Sequence, residues 1–268
     1  MSGPATTPMM RQYLDIKQNY QDCILFFRLG DFYEMFFDDA LSASKTLDLT
    51  LTGRGKDENR IPMCGIPHHA SEGYIAKLVK KGFKVAICDQ VEDASESKGL
   101  TKRDVTRVIT PGTVINDQVV DSESNHYLIA ITAAKYDSYA VSFVDNSTGE
   151  FRCAVLSDYQ QVVNFIEQLD PQECLLDDTL AFDYDFTCLV SKINTLTIER
   201  AKEEFLAHFK LSHLTAFGLA ELDDAIPAAW AIIDYLKKMH HDKLLHITQC
   251  AALKQHNQLL IDKVSIKN

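Results

Sequence analysis

A mixed α/β fold in two domains is predicted by three features of the sequence. Residues 7–113 alternate short, strongly apolar runs such as "CILFFR" and "FKVAICDQ" with segments of helical periodicity. Three β-like runs, "HYLIAITAA", "SYAVSFVD" and "GEFRCAVL", then follow one another across short connections, and helices alternate with strands after them. That order suits a meander built into a layered α/β domain. Finally, 268 residues exceed one average domain, and a polar stretch at 114–124 separates the two patterns. The expected organisation is a first domain at 1–113, a linker at 114–124 and a second domain at 125–268.

The elements follow in order. Residues 1–6 read as a polar tail. Thr7-Pro8 reads as a helix start, a cap with proline in the first turn, and Met10, Tyr13, Leu14 and Ile16 carry helical spacing to about Asn19. "CILFFR" is a strand. Leu29 to Phe32 form a tight turn in which Gly30 supplies the positive φ, and "FYEMF" returns as the second arm of a hairpin. "DDALSASKTL" is a helix with two acids in its first turn, where the helix dipole favours them. A strand is expected around Leu47–Leu51, then a polar basic loop, "TGRGKDENR". The two prolines and glycine of "IPMCGIPHHA" suggest a rigid connector. "SEGYIAKLVKKG" is an amphipathic helix with Tyr74, Ile75, Leu78 and Val79 on one face and Gly82 at its end. "FKVAICDQ" and "RDVTRVIT" are strands around the loop "EDASESKGL". After the meander come a helix at Ser157–Leu169, strands at "ECLLD" and near "FTCLV", helices at Thr197–Phe209 and Pro227–His240, and a last strand in "NQLLIDKVSIKN".

Composition narrows the class. The chain is 46% hydrophobic and 24% charged, and no apolar run reaches the roughly 18 residues a membrane helix requires. "MSGPATTP" lacks the features of a secretory leader. Seven widely spaced cysteines without a C-x-x-C pair point to buried free thiols of a cytoplasmic protein. The net charge of −11 opposes a free-standing nucleic-acid binder. Its distribution matters more: residues 1–120 carry 15 basic and 16 acidic residues, which leaves 12 and 22 for residues 121–268. Only the first half is suited to approach a phosphate backbone.

The most informative stretch is "RLGDFYEMFFDDA", Arg28 to Ala40. On a strand, Phe32, Glu34 and Phe36 share one face, and Asp31, Tyr33, Met35 and Phe37 share the other. On a helix, Phe32 and Glu34 would lie about 200° apart. Aromatic composition by itself favours a buried Phe32 with Glu34 pointing outward. Its place directly after a turn, on one face with a charge, favours exposure instead. An exposed ring beside a hydrogen-bonding group is suited to part a base step from the minor groove, which costs a few kcal/mol of stacking and is cheapest where pairing is weak.

Other chemistry is sparse. No phosphate loop, dinucleotide-binding glycine pattern or serine nucleophile elbow occurs. The pairs His68-His69 and His240-His241 lack a third ligand at metal spacing, and His68 reads as a loop anchor or surface contact. Asp145 ends a meander strand with Asp137, Glu150 and Asp158 nearby, so a magnesium-dependent nuclease in the second domain is the alternative enzymatic reading. Against it, these acids cluster at turns, where aspartate serves local hydrogen bonding. A docking module for a basic partner is a third reading.

The blocks "GDFYEMFFDDA", "LDLTLTGRG", "IPMCGIPHHA", "YIAKLVKKGFKVAICDQ" and "TRVITPGT" resemble, in sequence and order, the N-terminal region of the MutS family of DNA mismatch-repair proteins. The likeness is specific over residues 7–113 and looser over 125–268. It implies a mismatch-recognition domain followed by a connector of ribonuclease H-like topology without that activity. Phe32 would stack on a mispaired base and Glu34 would hydrogen-bond to it. Arg54, Lys98, Arg103 and Arg107 match positions near the DNA backbone, and Pro62 and Met63 match a loop near the groove. "GKDENR" departs from the family in length and acidity. The resemblance further implies an N-terminal fragment without chemistry of its own and without a cofactor. ATP and magnesium would belong to absent domains, the connector would meet a MutL-type partner, and the full-length protein would dimerise around DNA.

Overall fold

The computed structural model describes residues 7–55, 60–91, 101–114, 126–240, 244 and 246–253. Packing divides the chain into two units, Met1–His126 with Tyr235–Leu244, and Tyr127–Asp234 with Leu245–Asn268. The expected linker falls almost entirely outside the described residues, and Val114 belongs to a core cluster of the first unit.

The first unit contains α1 (Pro8–Lys17), β1 (Cys23–Leu29), β2 (Phe32–Phe36), α2 (Phe37–Leu47), β3 (Thr52–Arg54), β4 (Ile61–Pro67), α3 (Ser71–Lys80), β5 (Lys84–Gln90) and β6 (Arg103–Ile109). The strands form one sheet in the order β3-β4-β2-β1-β5-β6. Only β1 and β5 run parallel. Alternation along the strands gives the sheet two apolar faces. Phe26, Tyr33, Met35, Ile66 and Ile87 pack with Ala40, Ala43 and Leu47 of α2 and with Ile75 and Leu78 of α3. Leu25, Phe27, Phe36, Ala86, Cys88 and Val105 pack with Met9, Met10 and Tyr13 of α1. The start of α1 is as expected: Thr7 Oγ1 accepts from the Met10 amide at 3.3 Å.

Two expectations are corrected here. Leu47 closes α2, and no strand begins before Thr52. Ala40, Ala43 and Leu47 continue one helical stripe into the core, and that burial outweighs the β propensity of "LDLTL". Asp48, at φ 53°, then ends the helix in the left-handed region. "IPMCGIP" is strand β4 and not the rigid connector expected. Pro62 and Pro67 stand near its ends, where a missing N–H is tolerated, while Cys64 and Ile66 carry the core face.

The second unit contains β7 (Tyr127–Ala133), β8 (Tyr139–Asp145), β9 (Phe151–Leu156), α4 (Tyr159–Leu169), β10 (Glu173–Asp177), β11 (Leu189–Ile193), α5 (Ile198–Phe209), α6 (Ile226–His240) as far as Asp234, and β12 (Ala251–Ala252). Its sheet runs β11-β10-β7-β8-β9-β12. The first three strands are an antiparallel meander, and β10 and β11 extend it parallel to β7. This is the ribonuclease H-like arrangement. Ile129, Ile131, Val141 and Phe143 pack with Val162, Phe165 and Ile166 of α4. β11 begins later than "FTCLV" suggested, and β12, parallel to β9, was not foreseen. The expected strand in "NQLLIDKVSIKN" lies outside the described residues. All seven cysteines are free, and all but Cys188 are buried. Among the described residues no helix is long and apolar enough to cross a membrane.

Candidate nucleic-acid interface

The site is built on the β1–β2 hairpin. Leu29 pairs with Phe32, so Gly30 and Asp31 alone make the turn, with Gly30 at φ 57°. The turn is braced from the next strand: the His68 amide donates to the Asp31 carbonyl at 2.8 Å, and the His68 ring lies 5.5 Å from Tyr33. His68 is thus a loop anchor. Phe32 to Glu34 pair in register with both β1 and β4, so residues 32–34 are extended, and Met35 and Phe36 pair with β4. Phe32 is 49% exposed while Tyr33 is 4% exposed. The Tyr33 hydroxyl donates to Asp89 at 2.7 Å. The ring of Phe32 therefore stands on a hairpin arm whose other face is locked into the core.

Phe36 keeps the alternation and packs edge-on to Tyr13 at 5.0 Å. Phe37 does not. Expected on the face of Tyr33, it joins the opposite cluster beside Phe36. Its backbone sits at φ 53°, a left-handed step unusual for a bulky residue, and the strand's period of two ends there.

Glu34 shares the face of Phe32. Its cross-strand neighbours are Phe27 on β1 and Gly65 on β4. The Glu34 carboxylate reaches across β4 to β3. There Arg54 Nη1 lies 3.3 Å from Glu34 Oε2. A half-exposed pair of this kind contributes at most about 1 kcal/mol to folding. Burial pushes the Glu34 carboxyl above the ordinary glutamate value, and the Arg54 guanidinium pulls it partly back. A carboxylate held short of full hydration beside an exposed ring can accept a proton or a hydrogen bond at modest cost.

The remaining expected residues divide. Met63 lies on the same face, opposite Phe36 and Thr52, and is partly buried. Pro62 is one residue out of phase, so alternation turns it to the other face. Arg107 pairs with Ile87, also on that other face, and its Nη2 meets Glu72 Oε1 of α3 at 2.6 Å. Lys98 lies outside the described residues. Arg103 is 8% exposed. Its Nε donates to the Arg28 carbonyl at 2.6 Å, and its Nη1 donates to Gln12 Oε1 at 3.1 Å and the Thr101 carbonyl at 3.0 Å. Its guanidinium also lies 5.2 Å from the centre of the Phe27 ring. It ties α1 and β1 to β6 and turns little charge outward. Arg103→Ala strands these acceptors and is expected to cost about 2–3 kcal/mol, read as a lower urea midpoint with unchanged slope.

The fold therefore brings Phe32, Glu34 and Arg54 together, with Met63 beside them. The pairing of Arg54 with Glu34 was missed; it depends on strand order, for which the sequence carries no local signal.

The acids considered for a metal in the second unit are local. Asp145 is 2% exposed, and its Oδ1 accepts from the Ser147 amide at 2.9 Å and hydroxyl at 2.6 Å. Asp158 caps α4 through the Gln161 amide at 2.9 Å, and Glu150 pairs with Arg152. No cluster of three or more potential metal ligands occurs among the described residues.

Comparison with known proteins shows the family. The family model for MutS domain I matches residues 7–118, and that for MutS domain II matches residues 126–248. The chain is 40% identical over 279 residues to the DNA mismatch repair protein MutS of Desulfatibacillum aliphaticivorans, covering 100% of this chain and 31% of that protein. It is 41% identical over 282 residues to the MutS of Symbiobacterium thermophilum, covering 100% of this chain and 32% of the relative. It is 37% identical over 288 residues to the MutS of Methanosarcina mazei, covering 98% of this chain and 32% of the relative. The chain thus spans about a third of the length of the curated relatives it matches, and with both of its units matched in order it belongs to the MutS family of DNA mismatch-repair proteins.

Proposed function

We propose that this chain recognises mispaired bases in duplex DNA, with Phe32 as the wedge and Glu34 as the discriminating group. The observation that carries the reading is the half-exposed Phe32 ring on a braced hairpin, with Glu34 on the same face. An inserted ring must offset lost stacking, so it prefers a base step already weakened by a mispair. Glu34 works through penalty as much as attraction. A carboxylate near phosphates is repelled, and that cost is recovered only where a base offers a proton or the carboxyl is itself protonated. Arg54 is the cation best placed to meet a phosphate near the wedge. In this reading the acidic second unit stays off the DNA. It relays to ATPase domains that use ATP and magnesium and meets a MutL-type partner, within a dimer that closes around the duplex.

The test uses a chimera in which this chain replaces the matching region of the Symbiobacterium thermophilum relative. At low salt it should bind a G·T duplex more tightly than the matched G·C duplex. Equal affinities would refute the reading. The pH dependence follows from Glu34. Burial raises its carboxyl above the 4.5 of ordinary glutamate. The carboxyl is charged above that raised value and becomes neutral as the pH falls through it. Loss of the charge removes the repulsion from phosphates, so matched-duplex affinity should rise as the pH is lowered from 7 toward 5. Glu34→Gln should bind matched DNA more tightly at pH 7 and lose this part of the pH dependence. Fluorescence anisotropy on both duplexes across that range measures it.

A further inference from the structure

The function proposed above leaves open what holds Glu34 in a useful pose. Nothing on its own strand does. Its neighbours across β1 and β4 are Phe27 and Gly65, neither of which can bind a carboxylate. Arg28, the next cation along β1, is turned to the other face, 5.7 Å from the centre of the Tyr33 ring. Arg54, from β3, is the titratable group that acts on Glu34 among the described residues. The contact passes over β4 from one flanking strand to the other. It is too exposed to matter much for folding, so its consequence lies in where it puts the carboxylate.

We propose that Arg54 is a specificity-setting positioning residue: in the free protein its guanidinium, 3.3 Å from the carboxylate, holds Glu34 in place along the same face as Phe32. The inference rests on the mismatch-reading role of Glu34. With Arg54 in place, the carboxylate meets every duplex as a fixed negative group, and matched DNA is penalised. Without it, the side chain is free to rotate away, so the penalty on matched DNA relaxes. Any contact Arg54 makes with a phosphate adds equally to matched and mismatched affinity and cancels in their ratio.

Two measurements test this. In the chain itself, labelled with ¹³C-glutamate and with the Glu34 signal assigned by Glu34→Gln, the titration midpoint of Glu34 should move upward in Arg54→Gln and return toward wild type in Arg54→Lys. A merely structural arginine would not shift that midpoint. In the chimera, Arg54→Gln should lower the G·T to G·C affinity ratio by about tenfold, the scale of one hydrogen bond to a charged group. In a Glu34→Ala background the same change should leave the ratio where Glu34→Ala set it. An unmoved titration, or ratio losses that simply multiply in the double variant, overturns the role of Arg54 while Glu34 stands. A Glu34→Ala variant with undiminished preference overturns the discriminating role of Glu34 and this inference with it.

Discussion

Phe32→Ala removes most of the preference for mismatched over matched DNA and leaves the fold intact. Stacking of an aromatic side chain on a base is worth about 1–3 kcal/mol by alanine substitution, which corresponds to roughly a 5- to 150-fold loss in G·T affinity. Matched duplex, which the wedge enters poorly, should lose much less. Stability should change by no more than about 0.5 kcal/mol, because Phe32 is half exposed and its strand is held by Tyr33, Met35 and Phe36. Anisotropy on G·T and G·C duplexes with the chimera, beside a urea melt of the chain, measures both. Retained mismatch preference in Phe32→Ala would remove the wedge from the mechanism.

Asp39→Ala has the opposite profile, a large loss of stability far from the ring. Asp39 is 7% exposed, in the first turn of α2. Its carboxylate accepts from the Lys17 ammonium at 2.8 Å, the Tyr13 hydroxyl at 3.1 Å and the Leu25 amide at 3.0 Å. One side chain thus joins α1, β1 and α2. Burial, with Asp39 close by, pushes the Tyr13 hydroxyl far above its ordinary value, so it remains a donor. Alanine leaves a largely buried ammonium without its counter-charge and the Leu25 amide without its side-chain acceptor, which costs about 3–5 kcal/mol. That is a large share of the roughly 5–15 kcal/mol of a whole domain. Asp39→Asn keeps an acceptor for the amide and hydroxyl and should lose less. Denaturant unfolding of the three proteins measures the order; wild-type stability in Asp39→Ala would refute the account of this knot.

Much of the local structure was legible because it follows from short-range rules. Thr7-Pro8, Gly30 and Gly82 each mark an element boundary where one residue's φ or side chain decides the geometry. Errors arose where a distant partner decided. "LDLTL" looks like a strand, but Leu47 is claimed by the core stripe of α2. "IPMCGIP" looks like a rigid connector, but β2 and β3 offer it partners on both sides. Phe37 looks like part of the strand, but its left-handed backbone reverses its direction.

For the site itself, the sequence alone determined that Phe32 and Glu34 share a face next to a tight turn. Period-two alternation and a glycine turn suffice for that, and both act within about six residues. Tertiary structure decided which charges keep them company. Arg54 meets Glu34 because the strand order β3-β4-β2 sets it one strand beyond β4 on the same face. Arg103, an equally good cation in the sequence, is drawn inward because α1 covers its end of the sheet and supplies Gln12. Side-chain direction along a strand is local. Whether a charge faces solvent, a partner or the interior depends on strand order and on what covers the sheet, which is set by packing between segments far apart in the chain.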